Sequence, residues 1–192
     1  MESFSDGVIA VAITLLVLGL AVPKPPQHDL AHQLGHNWPS YAAYATSFIT
    51  IGIIWINHHV MIGRLRQTDR LILILNLVLL MTIGLLPFAT DLLAKYLNQA
   101  RGEHLAAAVY GGAYLLMSLA FASLNTHILL RKAHLHHEQL PVDQRRRMLG
   151  RSLTGLVPYA IATGLAAVSP YATLAICAAI ALYYASPLGS GG

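Results

Sequence analysis

The stretch Phe4-Ser5-Asp6-Gly7, followed without a break by the apolar run Val8 to Val22 (VIAVAITLLVLGLAV), decides how the chain is read. As a helix rising 1.5 Å per residue, Phe4 to Val22 would span about 28 Å, close to the thickness of a hydrocarbon core. Asp6 is the one carboxylate within it, and no further charge follows until Lys24. Hydropathy alone would allow a plain lipid anchor. The layout argues for more. Val11, Thr14, Leu15 and Leu18 fall at i, i+3, i+4 and i+7 and so share one face. Ser5, Asp6 and Gly7 are polar or small where a lipid anchor would need neither. The run does not read as a signal peptide, having no basic n-region and no small-residue cleavage site. Pro23-Lys24-Pro25-Pro26 is expected to stop the helix, because proline cannot continue the hydrogen-bond ladder.

The rest of the chain repeats this chemistry. Of 192 residues, 56% are hydrophobic and only 10% charged, and the mean hydropathy is +0.58. A soluble domain is nearer a quarter charged, so the composition points to a membrane protein. The predicted fold is all-α and integral to the membrane. Six apolar segments are read at roughly 4–22, 41–62, 71–93, 105–130, 153–168 and 171–188, in a single domain over 1–192. No second Phe-Ser-Asp block marks an internal repeat. Small residues at four-residue spacing, Ala108 and Gly112 in the fourth segment and Ala160 and Gly164 in the fifth, suit close helix packing in lipid. Pro87 is expected to kink the third.

Basic residues give the orientation. With the N-terminus inside, the inner loops hold Arg64, Arg66, Arg70, Arg131, Lys132, Arg145, Arg146, Arg147 and Arg151, and the outer loops only Lys24, Lys95 and Arg101. This positive-inside bias makes both termini cytoplasmic and the location a plasma or inner cell membrane, crossed several times. Confinement of the basic residues to short loops also sets aside nucleic acid, despite a net charge of +4. Cys177 is the only cysteine, so no intrachain disulfide can form.

Polar side chains inside apolar runs are the candidate functional residues. A carboxylate at the level of Asp6 needs donors. Ser5, the Trp55 indole, Asn57 and His58 can supply them, and Asn76 is a further buried polar group in need of a partner. These six are expected to form a network that fixes the first helix. A local alternative stays open, since Ser3 and Asp6 fit an S-x-x-D capping box. The pair His58-His59 does not suit zinc, because neighbours on a helix point about 100° apart. No metal or other cofactor is expected. In the outer loop His28, His32 and His36 would line one side of a short helix, a spacing open to metal binding or proton sensing, although a solvated loop explains it more simply. The stretch Arg131 to Arg151, with His134, His136, His137 and Glu138, reads as a solvated basic loop.

Enzymatic chemistry finds no footing. There is no P-loop, no H-E-x-x-H, no glycine-rich nucleotide fingerprint and no nucleophile–base set in the apolar segments. The T-V-G-Y-G run of carbonyl-lined potassium filters is also absent.

Phe4-Ser5-Asp6-Gly7-Val8 with Ala10 to Leu18 resembles the signature first helix of the prokaryotic members of the transmembrane protein 175 family, relatives of the endosomal and lysosomal potassium channel. The likeness continues through Trp55-Ile56-Asn57-His58-His59, Asn76, Leu86-Pro87-Phe88 and Ser169-Pro170-Tyr171, and so covers nearly the whole chain. The family usually carries an arginine four residues before the phenylalanine, a position that would precede Met1 here. The resemblance implies a potassium-selective cation channel, a homotetramer with four first helices around its axis. It implies Val11, Leu15 and Leu18 at a hydrophobic pore constriction with Thr14 as the polar layer between them, and polar contacts holding the Phe-Ser-Asp motif to neighbouring helices. The partners expected are further copies of the chain and the lipid bilayer, and the ligand is permeant potassium. The rival reading is a secondary transporter, which would need a mid-membrane substrate site with broken helices.

Overall fold

A computed structural model of the protein describes residues 1–20, 22, 30–99, 101–131 and 142–186. Among these residues every regular element is helical and there is no β-strand. Helix α1 covers Glu2–Leu15 and continues as a 3-10 turn over Leu16–Gly19. It therefore ends short of the Val22 expected from the apolar run. The weak helix former Gly19 closes it, and Leu20 turns to extended backbone at φ −80° and ψ 100°. Residues 23–29, with the proline run and His28, lie outside the described residues. A short helix α2, Leu30–His36, stands where a solvated loop was predicted.

The long helices follow. Helix α3 is Trp38–Gly63 and accepts Pro39 in its first turn, where a missing N–H costs nothing. Helix α4 is Arg70–Tyr96, capped by Asp69, whose Oδ1 accepts from Ile72 N at 2.8 Å. Pro87 lies inside this helix. Helix α5 is Glu103–Thr126, followed by a π-helical turn His127–Arg131. The turn before α5 needs Gly102, which sits at φ +90° with the Tyr96 ring 2.9 Å from where a Cβ would stand.

The last third departs most from the sequence reading. Helix α6, Val142–Thr154, forms where a loop was expected. The predicted fifth segment breaks at Gly155, which separates α6 from α7, Leu156–Leu165. Helix α8 is Pro170–Ala185, with Ser169 Oγ accepting from Ala172 N and Pro170 in the first helical position. Among the described residues four helices are long and apolar enough to cross a membrane: Glu2–Gly19, Trp38–Gly63, Arg70–Tyr96 and Glu103–Leu130. Ser152–Leu165 and Pro170–Ala185 are apolar but shorter.

Helices α4 and α5 form the centre of the bundle, with α7 and α8 against α5, α3 between α4 and α8, and α1 laid over α3 and α4. The close approach of α5 to α7 is at Gly111, where an added Cβ would stand 3.0 Å from Thr163 Oγ1 and 3.1 Å from its Cα. Neither Gly112 nor Gly164, on the small-residue faces named from the sequence, has a neighbour at that range. The packed row of α5 is thus one residue earlier, through Ala107 and Gly111. Between the helices a cluster of hydroxyls is buried. Tyr114 donates to Ser47 Oγ at 2.8 Å, Ser47 and Thr90 share a bond of 2.7 Å, and Tyr110 lies 3.0 Å from the Tyr114 hydroxyl.

One end of the bundle is tied by Asn98, beyond the end of α4. Its amide donates to the His36 carbonyl at 3.3 Å and its Oδ1 accepts from the Tyr171 hydroxyl at 2.8 Å, while Tyr171 stacks on Trp38. The start of α1 lies at the opposite end.

Candidate functional site

Helix α1 has two faces of opposite character. Ser5, Ile9, Ala12 and Leu16 recur at helical spacing and are buried against α3 and α4. On the other face Val11 is 57% exposed, Leu15 45% and Leu18 77%. Thr14 is exposed beside them, its hydroxyl donating to the Val11 carbonyl at 2.8 Å. That bond satisfies the hydroxyl proton locally and leaves the oxygen's acceptor capacity unused by it. The four residues named from the sequence as pore-lining are therefore all exposed among the described residues.

The inner face is held by hydrogen bonds. Asn76 Nδ2 donates to Ser5 Oγ at 3.0 Å, and Ser5 Oγ donates to the Met1 carbonyl at 3.2 Å. Asn76 Oδ1 accepts from His58 Nε2 at 2.7 Å, which places the imidazole proton on that nitrogen. Ser5, His58 and Asn76 are all buried, so this chain joins α1, α3 and α4 away from solvent.

A second set of contacts lies outside it. Trp55 Nε1 donates to Asp6 Oδ1 at 2.8 Å. His59 Nδ1 stands 3.2 Å from Glu2 Oε1 and 3.9 Å from Asp6 Oδ2, its ring packed on Trp55 with centroids 5.7 Å apart. The single network expected from the sequence is thus two contact sets, one buried and one solvent-facing. Asn57 belongs to neither. It is exposed, and its amide returns to the Ile53 carbonyl of its own helix at 2.9 Å. The 100° turn per residue carries it off the face that His58 uses. The capping box does not form either: Met1 is the N-cap and no side chain caps α1.

Glu2 and His59 were not singled out from the sequence as partners of Asp6. The signal was present for Glu2, which stands four residues before Asp6 and so on the same side of the helix. Of the outer histidines, His32 and His36 are exposed on α2 and join no three-ligand cluster among the described residues. At the far end of α1, Gly19 lies so close to α4 that an added Cβ would be 3.3 Å from Asp91 Oδ1, while Asp91 Oδ2 pairs with Lys95 at 2.6 Å.

Three comparisons bear on this arrangement. Residues 1–87 match the family model described as endosomal/lysosomal potassium channel TMEM175. A potassium channel of Streptomyces collinus is 44% identical over 185 residues, which cover 96% of this chain and 89% of that one. The crystal structure of a lysosomal potassium-selective channel TMEM175 homolog from Chamaesiphon minutus superposes with a TM-score of 0.85 at 34% identity, covering 100% of this chain and 96% of that one. With both faces of its first helix described and this likeness along nearly all its length, the chain belongs to the TMEM175 family.

Proposed function

We propose that the chain is one subunit of a potassium-selective channel in the cell membrane, a homotetramer with four copies of α1 around a central pore. The reading takes residues 1–192 as a single domain with six membrane crossings and cytoplasmic termini. The shorter apolar helices Ser152–Leu165 and Pro170–Ala185 supply the last two crossings. The observation that carries the proposal is the exposed face of α1, with Val11, Thr14, Leu15 and Leu18 along it, opposite a face bonded to α3 and α4. One helix cannot enclose a pore, and closed symmetry gives that face its neighbours. The names of the related channels support potassium as the permeant ion. The chain's part is conduction, with no catalytic step and no cofactor.

In this pore Val11, Leu15 and Leu18 form aliphatic rings that cannot coordinate an ion. When narrow they expel water and block; a small dilation readmits it. Selectivity then follows the cost of partial dehydration, which is lower for potassium than for sodium, with the Thr14 oxygens as the one polar layer. The partly negative C-terminal ends of four α1 helices face the outer mouth and favour cations. The buried chain of Ser5, Asn76 and His58, with the Asp6–Trp55 contact outside it, keeps each α1 from rotating its leucines out of the pore.

The test is the reversal potential of purified protein in a planar bilayer, with potassium on one side and sodium on the other. Discrete current steps reversing toward the potassium equilibrium potential are expected, and Thr14→Val should move the reversal toward zero. Slow, saturable exchange in liposomes with a silent bilayer would replace the channel by a transporter.

A further inference from the structure

Glu2, Asp6 and His59 bring three ligating atoms within 4.8 Å of one another. The carboxylates come from the first turns of α1 and the imidazole from the last turns of α3. We propose that this cluster binds a divalent first-row transition cation, which then bridges α1 to α3. The site does not depend on what passes through the pore.

The argument begins with charge. Glu2 and Asp6 are like charges four residues apart on one helix, an arrangement that repels. Among the described residues the ion pairs of both run to His59, which is charged only when protonated. With a neutral imidazole the cluster carries two negative charges and presents a nitrogen lone pair, the donor set of a cation site. The helix N-terminus relieves part of the repulsion but supplies no ligand.

Geometry agrees. Donor atoms around a metal at about 2.1 Å lie roughly 3.0–3.5 Å apart. His59 Nδ1 is already 3.2 Å from Glu2 Oε1 and 3.9 Å from Asp6 Oδ2. Closing the set takes a small adjustment of side chains that are a third to a half exposed. Two contacts prepare the ligands from outside. The Trp55 indole holds the Asp6 oxygen that does not face His59, and the same indole packs on the His59 ring. Such outer partners orient ligands and raise their affinity. Two carboxylates with one imidazole and no sulfur select manganese through zinc over copper(I), and the imidazole disfavours magnesium and calcium.

The test uses the purified full chain in detergent, titrated with cobalt(II) and read by its visible absorption. Saturable binding is expected, displaced by zinc(II) and resistant to a large excess of magnesium. Glu2→Gln and His59→Asn are conservative changes at positions that solvent reaches, and each should remove one bound cobalt per chain. Trp55→Phe should weaken that binding by about ten- to a hundredfold with the spectrum retained. Other histidines of the chain can take up cobalt too, so the difference between wild type and variants is the readout. Unchanged cobalt stoichiometry in both Glu2→Gln and His59→Asn, at wild-type helix content by circular dichroism, would overturn the site and leave an ordinary ion pair.

Discussion

An 18-residue stretch of Glu103–Leu130 has 56% of its residues buried within the subunit and the 18 residues of Glu2–Gly19 have 22%, although both helices are long and apolar enough to cross a membrane. Helix α5 is set by shape. Gly111 lets the Thr163 backbone approach, and Tyr110, Tyr114 and Met117 fill the space between helices. Helix α1 is set by hydrogen bonds, through Ser5 to Asn76 and through Asp6 to Trp55, with Ile9, Ala12 and Leu16 buried behind them. Lipid supplies no hydrophobic force to bury an apolar face. A helix whose face is reserved for something other than its own subunit must therefore be held by polar contacts at its edge. The contrast predicts that α5 responds to volume, α1 to the loss of a bond, and the open face of α1 hardly at all in stability.

The largest effect should come from Gly111→Leu. Its side chain would enter space held by Thr163 backbone, and overpacking of that kind costs about 3 kcal/mol or more. Thermal unfolding in detergent should show the loss, and a shift under about 1 kcal/mol would mean that α5 and α7 slide freely. Asn76→Leu comes next. It removes the bonds to both Ser5 and His58 and leaves a buried imidazole unpaired, worth about 1–3 kcal/mol. Its sharper signature is protection: amide exchange in α1 should quicken more than in α5, and equal quickening would erase the distinction between the two helices. Tyr114→Phe deletes one donor of the hydroxyl cluster and should cost about 0.6 kcal/mol, the usual size for such bonds in membranes. Least of all, Leu15→Ala and Leu18→Ala should stay within about 0.5 kcal/mol of wild type, since both side chains are exposed. The same two changes should raise current and lower potassium preference. Stable proteins with unaltered currents would remove both leucines from the conduction path.

Long apolar runs were legible because a span of that length leaves few alternatives; α4 extends only slightly beyond the segment drawn from the sequence. Polar residues stranded in such runs were legible for the same reason. Ser5, His58 and Asn76 have no water to turn to, so they find one another. Asn57 was not separable from His58 by composition, and only the helical turn tells them apart. The packed row of α5 was misplaced by one residue because Ala107-Ala108 and Gly111-Gly112 offer two small-residue rows of equal merit. Helix α6 escaped notice because a strongly basic stretch looks like a loop when hydropathy is the guide. The hydroxyl cluster of Ser47, Thr90 and Tyr114 draws on three separate segments, and nothing local announces such a meeting.

The 3-10 turn over Leu16–Gly19 gives α1 a winding coordinate. In a 3-10 turn each residue advances about 120° and 2.0 Å, so side chains three apart eclipse, whereas an α-turn advances about 100° and 1.5 Å. Leu15 and Leu18 accordingly stand almost one above the other. Rewinding these residues as α-helix would swing Leu18 about 60° around the axis relative to Leu15 and draw it closer by about 1.5 Å. A screw of that pitch converts a change in backbone register into a sideways displacement of one leucine, with the bonded start of the helix left where it is.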